Sequence, residues 1–301
     1  EGIIRRMTVS ELAGQLLMVS IEHGDQGAIT RLTESERSFL RDLRPGGVIL
    51  FAVNLQNVSQ VQNLVLELQS TAALPLLIAT DHEGGLVSRL TSSDEMGATV
   101  MPSATLVGTA ARVLDTWGDR DRALRLAEQW GEVTGRELRA LGINLNLGPV
   151  ADVDPVGAVG FLGEQRRTFG ADPELVGQLV AATVSGLRSS GVMAAVKHFP
   201  GHGTAQTDSH SEIVALPHTM EELRSVNLVP FAAAIQNGVA AVMSAHVAYP
   251  AAVQEQLPAT LSSGLLTDLL RIEMGYTGVI MTDALNMEAI LSLEDPAELA
   301  L

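Results

Sequence analysis

The chain has no cysteine, few aromatic residues and a marked shortage of cations relative to carboxylates. Without cysteine, disulfide bonds and zinc–thiolate sites are excluded. Cysteine usage therefore does not indicate whether the protein works in an oxidising or a reducing compartment. Aromatic residues make up 3% of the sequence and hydrophobic residues 46%, which is typical of layered helices and strands and not of an aromatic-rich β-sandwich. The formal net charge of −16 disfavours nucleic acids and anionic membranes as partners, because binding phosphates requires lysine and arginine.

Three other features are also missing. No apolar run is long enough to span a bilayer, and no signal peptide is visible. No glycine-rich phosphate fingerprint follows the first apolar run, which disfavours a dinucleotide-binding protein. The first residue is Glu1, which indicates a processed or a trimmed chain. Processing favours an exported protein or lipoprotein, whereas trimming explains the start equally well and leaves a cytoplasmic location as the alternative. No pattern indicates an oligomeric state.

Apolar, β-branched runs recur along the chain, and each is followed by turn residues and a longer amphipathic stretch. Continuous apolar runs are typical of strands buried on both faces of a parallel sheet. The runs cover residues 14–21, 46–51, 74–81, 143–153, 191–199, 238–247 and 278–285. Their alternation with helical patterns predicts a single α/β domain over residues 1–301, a (β/α)8 barrel. No eighth run follows, so we expect a barrel that lacks its last strand in this sequence, through truncation of the chain or, alternatively, through disorder or replacement of that strand.

Helix signals support this alternation. The stretch "NVSQVQNLVLELQSTA" has apolar residues at helical spacing. An Asp-Pro pair begins "ADPELVGQLVAATVSGLRSSG" and a glycine ends it. In "TMEELRSVNLVPFAAAIQNG", Thr219 is followed three residues later by Glu222, the pattern of a helix start.

Polar residues gather where the predicted strands end, which is where barrel enzymes carry their active sites. Any single aspartate there is equally well explained as a helix cap. The whole set is not, because lysine and histidine are poor N-caps. The set comprises Asp81, His82, Glu83, Asp152, Asp154, Lys197, His198, His246 and Asp283. Asp283 is a candidate nucleophile or electrostatic stabiliser, or alternatively a cap for a helix near Asn286.

The stretch "KHFPGHGTAQTDSHSEIV", residues 197–214, is a histidine-rich loop that follows the fifth run. Its glycines and proline disfavour regular structure. His198, His202, Asp208 and His210 are candidate metal ligands, although their spacing matches no compact metal motif. Alternatively, Asp208 orients His210 and favours its protonated form, which makes a general acid near neutral pH. A third interpretation leaves His202 and His218 as solvated loop residues.

Six segments in order resemble one enzyme family. "KHFPGHGTAQTDSH" closely resembles the signature of family 3 glycoside hydrolases of the β-N-acetylglucosaminidase type, and "GVIMTDALNM" is similar to that family's nucleophile strand. "ATDHEGGLVSRL" resembles its Asp-x-Glu-Gly-Gly-x-Val-x-Arg segment, and "RRTFG" its Arg-Ser-Phe element. "PGGVILF" and "MSAHVAYPA" follow the expected order. The resemblance runs from about Met7 to the end of the chain.

The resemblance implies a (β/α)8 barrel with no metal or other cofactor. It also implies an exo-acting, retaining hydrolase of terminal, non-reducing β-linked N-acetylglucosamine, taken from muropeptides or chitin fragments. Asp283 would be the nucleophile and His210 the acid/base, paired with Asp208. The residues that would hold the sugar hydroxyls and the N-acetyl group are Asp81, Arg89, Arg167, Lys197 and His198.

Departures from the family pattern and rival functions accompany this expectation. His82 stands where glutamine is usual, Leu86 where arginine is common, Thr168 where serine is usual and Val214 where proline is frequent. One rival is a phosphorylase that uses the same residues and transfers the sugar to phosphate. Another is an inactive sugar-binding remnant of the barrel, and a third is a metal-dependent hydrolase that uses the loop histidines.

Overall fold

The central element of the computed structural model is a seven-stranded parallel sheet, whose strands pair in the order in which they occur along the chain. The structure describes residues 2–24, 27–154, 160–205 and 214–291. All seven apolar runs predicted from the sequence contribute a strand. The strands are β1 Met18–Ser20, β2 Gly47–Ile49, β3 Leu77–Thr80, β4 Leu145–Asn146, β5 Met193–Phe199, β6 Ala241–Ser244 and β7 Val279–Thr282.

Helices cover the outside of this sheet, as the alternating pattern predicts. The longer α-helices are α1 Val9–Gln15, α2 Glu34–Leu43, α3 Val58–Thr71, α4 Ala104–Thr116, α5 Arg120–Ala140, α6 Pro173–Ser189 and α7 Leu228–Gln236, and a π-helix covers Gly264–Glu273. Shorter helical segments are Ile4–Arg6, Ala52–Asn54, Arg89–Thr91, Asp94–Met96, Phe161–Glu164, Met220–Glu222, Leu223–Asn227, Pro250–Val253, Ala259–Leu261 and Glu288–Leu291. None of the described helices is both long enough and apolar enough to cross a membrane.

The predicted helix signals act as expected. The Asp172 side chain caps α6, accepting from the N–H groups of Glu174 and Leu175, and proline begins the helix. Thr219 and Glu222 form a capping box. The sequence did not predict that α7 is preceded by a π-helical turn, Leu223–Asn227.

The sheet curls into part of a barrel and is apolar on both faces. Successive side chains of a strand point to opposite faces, so Ala79 and Met243 pack inside the curve while Val48, Ile78 and Val242 pack outward beneath the helices. This two-sided burial explains why the strands read as continuous apolar runs.

The predicted gap in the barrel lies between β1 and β7, which are the two edge strands of the sheet. Val279 of β7 is 53% exposed, whereas Val242 of the neighbouring β6 is fully buried. No eighth strand lies within the described residues, in agreement with the sequence prediction. Residues 292–301 lie outside them.

The fourth strand is shorter than predicted. Only Leu145–Asn146 pairs as a strand, although the apolar run continues to residue 153. Pro149 has no N–H to donate to a ladder, so the chain leaves the sheet there. It returns for an isolated bridge between Val150 and Lys197, and this brings Asp152 beside the end of β5.

Candidate active site

The carboxyl ends of the parallel strands meet on one face of the sheet, and two groups of charged side chains lie there. The first is built around Lys197, in β5, which is 3% exposed. Its Nζ atom lies 2.6 Å from Asp81 Oδ1 and 2.7 Å from Glu83 Oε1. Burial lowers the pKa of Lys197, but the two carboxylates outweigh it and the net shift is upward. Lys197 is therefore a fixed cation.

Arg167 completes this group through a bidentate pair with Glu83. Its Nε and Nη2 atoms both lie 2.8 Å from the carboxylate oxygens, the planar geometry that arginine and carboxylate favour. Burial raises the pKa of Glu83, but Lys197 and Arg167 together lower it to about 2. The result is a buried cluster of two cations and two anions, Asp81, Glu83, Arg167 and Lys197, which we call the Lys197 cluster.

The second group is centred on Asp152, which is fully buried. Its Oδ2 accepts from His198 Nδ1 at 2.8 Å and from the His198 backbone N–H at 3.2 Å. Its Oδ1 accepts from the His202 backbone N–H. A carboxylate only accepts, so Nδ1 carries the proton and Nε2 of His198 is left for a ligand.

Asp283 follows β7 directly and is half-buried. Its backbone N–H donates to Ser244 O at 3.2 Å, and its Oδ1 accepts from the Ala284 N–H at 2.8 Å. Burial raises the pKa of Asp283, but the opposite effect of His198 and His246 is larger, so the net shift of the pKa is downward. The carboxylate is therefore ionised at neutral pH, as a nucleophile requires.

The structure joins four of the five sugar-binding candidates to these two groups. The exception is Arg89, which begins the short helix Arg89–Thr91 behind a hairpin formed by His82–Gly84 and Val87–Ser88. Within the described ranges, its Nε atom is buried and has no hydrogen-bond partner.

Asp208 and His210, the predicted acid/base pair, lie outside the described residues. The described residues on either side of them are held in place. The Tyr249 hydroxyl donates to Gly201 O, and Val214–Ala215 pairs in parallel with Val247–Ala248. Thr204 Oγ1 lies 2.6 Å from His218 Nε2.

The interpretation of His202 as a solvated loop residue is wrong, because it is 3% exposed and its backbone is bound by Asp152. His218 is half-buried and bonded to Thr204. Among the residues that the structure describes, no three histidine, aspartate or glutamate side chains are grouped to hold a metal ion.

The sequence assigned no role to Glu83 or Asp152, although both were noted at strand ends. Each of these carboxylates binds two other residues of the site. The sequence offered one signal for such a role, namely a carboxylate that stands in an apolar stretch beside other charged residues. The Asp81–Lys197 contact spans 116 residues of sequence, so local patterns could not reveal it.

A curled parallel sheet with an ionised aspartate and buried charges at its strand ends defines a barrel-type enzyme. The chain belongs to glycosyl hydrolase family 3: residues 8–301 match the model of that family's N-terminal domain. It is therefore a glycoside hydrolase domain.

Individual relatives agree with the family. The chain is 42% identical over 259 residues to the β-hexosaminidase of Chromobacterium violaceum, covering 85% of this chain and 68% of that protein. It superposes on the family 3 β-N-acetylglucosaminidase of Paenibacillus sp. str. FPU-7 with a TM-score of 0.84 and 40% identity, covering 98% of this chain and 53% of the other. It also superposes on NagZ from Neisseria gonorrhoeae in complex with N-trifluoroacetyl-D-glucosamine, with a TM-score of 0.82 and 36% identity, covering 95% and 78%.

Proposed function

We propose that this chain is an exo-acting, retaining β-N-acetylglucosaminidase that removes terminal, non-reducing β-linked N-acetylglucosamine. The observation that carries the proposal is the carboxylate of Asp283, held ionised at the end of β7 beside the two charged groups. Relatives named β-hexosaminidase, and a relative bound to an N-acylated glucosamine, support the substrate class.

The proposed reaction has two steps. In the first, a carboxylate oxygen of Asp283 attacks the anomeric carbon while the bond to the leaving oxygen breaks, and His210 gives that oxygen its proton. In the second, His210 takes a proton from water, which attacks the same carbon and releases Asp283. Two inversions leave the sugar with its β configuration. Asp208 would orient His210, and these two roles rest on the family's loop motif.

An imidazole acid suits a site that is already rich in carboxylates. Two carboxylates close together repel and raise each other's pKa, whereas a histidine beside the ionised Asp283 does not. A histidine acid therefore lets the nucleophile stay ionised while the imidazole can donate a proton near neutral pH.

The Lys197 cluster and His198 would bind the sugar. Their side chains are fixed by pairs at 2.6–2.8 Å, so their donors and acceptors need little reorganisation when the sugar arrives. Asp81 has one oxygen bound by Lys197 and can accept a hydroxyl with the other. Nε2 of His198 supplies a further contact.

We propose peptidoglycan-derived muropeptides as the natural substrate, supported by the family type that the loop motif resembles. Chitin fragments are the competing class. Rates on an N-acetylglucosamine–N-acetylmuramic acid disaccharide and on chitobiose separate the two, and a faster rate on chitobiose overturns the muropeptide assignment.

The test is turnover of 4-nitrophenyl β-N-acetylglucosaminide by the full chain and by Asp283→Asn. We expect the variant to lose at least about 1,000-fold in kcat, on the scale of losing a nucleophile. The matched control is Asp121→Asn, at an exposed position in the first turn of α5, which keeps wild-type activity. Full activity in Asp283→Asn overturns the assignment.

Two further measurements on the same reaction complete the test. Proton NMR of the first product formed should show the β anomer, and the α anomer would rule out retention. Product analysis with and without inorganic phosphate should give free N-acetylglucosamine in both cases. A sugar phosphate would show that the enzyme is a phosphorylase.

A further inference from the structure

His246 lies just beyond the end of β6, is fully buried, and connects two parts of the chain. Its Nδ1 atom lies 2.8 Å from Thr260 Oγ1 and its Nε2 atom 3.0 Å from Ala284 O. A carbonyl oxygen only accepts, so Nε2 carries a proton and donates it to Ala284. The proposed reaction above does not use this residue.

Thr260 fixes the orientation of the His246 ring. Its hydroxyl oxygen also lies 3.0 Å from Ser244 Oγ and 3.1 Å from Ala245 O. Thr260 is 7% exposed, so these hydrogen bonds are shielded from water. A ring whose two nitrogens both have buried partners has one favoured orientation.

The backbone of Ala284, through its two peptide groups, links His246 to the proposed nucleophile. The Ala284 N–H donates to Asp283 Oδ1 at 2.8 Å. The carbonyl of the same residue accepts from His246 and from the Met287 N–H, which lies at 3.2 Å. On the other side, the Asp283 N–H is held by Ser244 O at 3.2 Å. Backbone groups on both sides of the carboxylate are therefore tied to β6 or its extension.

We propose that His246 is a positioning residue for Asp283. By fixing the Ala284 carbonyl, it restrains the backbone torsions of Ala284 and so the direction of the preceding N–H, which holds Oδ1 and leaves Oδ2 for the anomeric carbon. The inference rests on the proposed function, because it assumes that Asp283 is the nucleophile.

The proposed nucleophile follows directly after β7. β7 pairs with β6 on one side and is an edge strand of the described sheet. Its residues Val279 and Thr282 are exposed. A misplacement of a reacting group by about 1 Å can cost on the order of 100-fold in rate, so hydrogen bonds that fix the turn after β7 bear directly on the reaction.

Two substitutions separate positioning from general structural support. In His246→Gln the terminal amide lies where Nε2 was and can still donate to Ala284 O. In His246→Asn the shorter amide lies where Nδ1 was and reaches only Thr260. Both variants replace the ring with an uncharged amide, so they lose comparable packing.

We expect His246→Asn to lose on the order of 100-fold in kcat with little change in KM. His246→Gln should keep at least about ten times more kcat than His246→Asn, since it restores the anchored carbonyl. Binding of N-acetylglucosamine, measured by titration calorimetry, should be the same in both variants because neither changes the sugar-binding groups. The melting temperature of each variant is measured alongside.

Equal losses of kcat in the two variants, or losses that follow the fall in melting temperature, overturn the inference. A rise in KM with unchanged kcat also overturns it, since that places His246 in sugar binding. Failure of the proposed function is distinguishable: Asp283→Asn would then be active. An inactive Asp283→Asn together with a fully active His246→Asn removes only the inference about His246.

Discussion

Glu83 and Lys197 are both buried, and their Oε1 and Nζ atoms lie 2.7 Å apart at the carboxyl ends of the strands. Glu83 also binds Arg167 through both oxygens. One carboxylate thus fixes two cations in place, and these cations, with Asp81, form the floor of the candidate sugar site. The consequences of removing each connection can be measured.

Glu83→Gln should destabilise the protein and weaken sugar binding. The substitution leaves Lys197 paired with Asp81 alone and removes the bidentate carboxylate partner of Arg167. Breaking a buried pair costs about 3–5 kcal/mol. Denaturant unfolding measures the loss of stability, and titration with N-acetylglucosamine measures binding.

The control for this variant is Glu34→Gln, which removes an ion pair with Arg41 on the surface of α2, where the Glu34 side chain is 78% exposed. Exposed pairs contribute about 0–1 kcal/mol, so this variant should unfold as the wild type does. If Glu83→Gln behaved like the control, the carboxylate would have no part in holding the site.

Stability should fall as the pH drops below 6.5. Burial lowers the pKa of His82 and of His202 from 6.5 to about 4, so the unfolded chain takes up these protons first. Their contribution is complete above pH 6.5 and is lost towards pH 4, roughly 3 kcal/mol for each group. Glu83, with its pKa lowered to about 2, adds a further loss below pH 4.5.

Melting temperatures at pH 7.5, 6.5, 5.5 and 4.5 test this prediction. His82→Gln removes one of the titrating groups, so its melting temperature should depend less steeply on pH between 6.5 and 4.5. An equally steep slope in that variant would show that His82 titrates normally in the folded state.

Tyr249→Phe should reduce activity on substrates with poor leaving groups more than on activated aryl substrates. The Tyr249 hydroxyl holds Gly201 O, at the described edge of the loop that carries Asp208 and His210. Only poor leaving groups need a strong proton donor. The measurement is kcat/KM on chitobiose and on the 4-nitrophenyl substrate.

Tyr276→Phe is the matched control for this prediction. Tyr276 is also buried, and its hydroxyl lies 3.2 Å from Val279 O and 3.4 Å from Val239 O, near the other ends of β6 and β7. Each variant should lose about 1 kcal/mol of stability through its lost hydrogen bond. Equal effects of the two variants on the ratio of rates would remove the link between Tyr249 and proton transfer.

The sequence predicted the parallel sheet because its physical signal is local. Buried strands require continuous apolar runs, and Asp172 and Thr219 begin helices through contacts within three residues. It also placed Asp283 and Lys197 at strand ends, where the structure has them. The family motif, rather than any pattern of spacing, supplied their proposed roles.

The contacts between the site residues could not be predicted in the same way. Glu83, Asp152 and His246 act on partners that are distant in sequence, and the fold alone decides those distances. The early end of β4 depends on one proline within an apolar run. The π-helical turn before α7 has no recognisable signature in residues 223–227.

If Asp283 is the nucleophile, it forms a covalent bond to the sugar, and that bond can be trapped. The full chain is incubated with a 5-fluoro derivative of N-acetylglucosamine that carries a good leaving group, then digested and analysed by mass spectrometry. We expect one added sugar on the peptide containing Asp283, at the side chain of that residue. A sugar on a different residue, or turnover of substrate with no residue labelled, would contradict it.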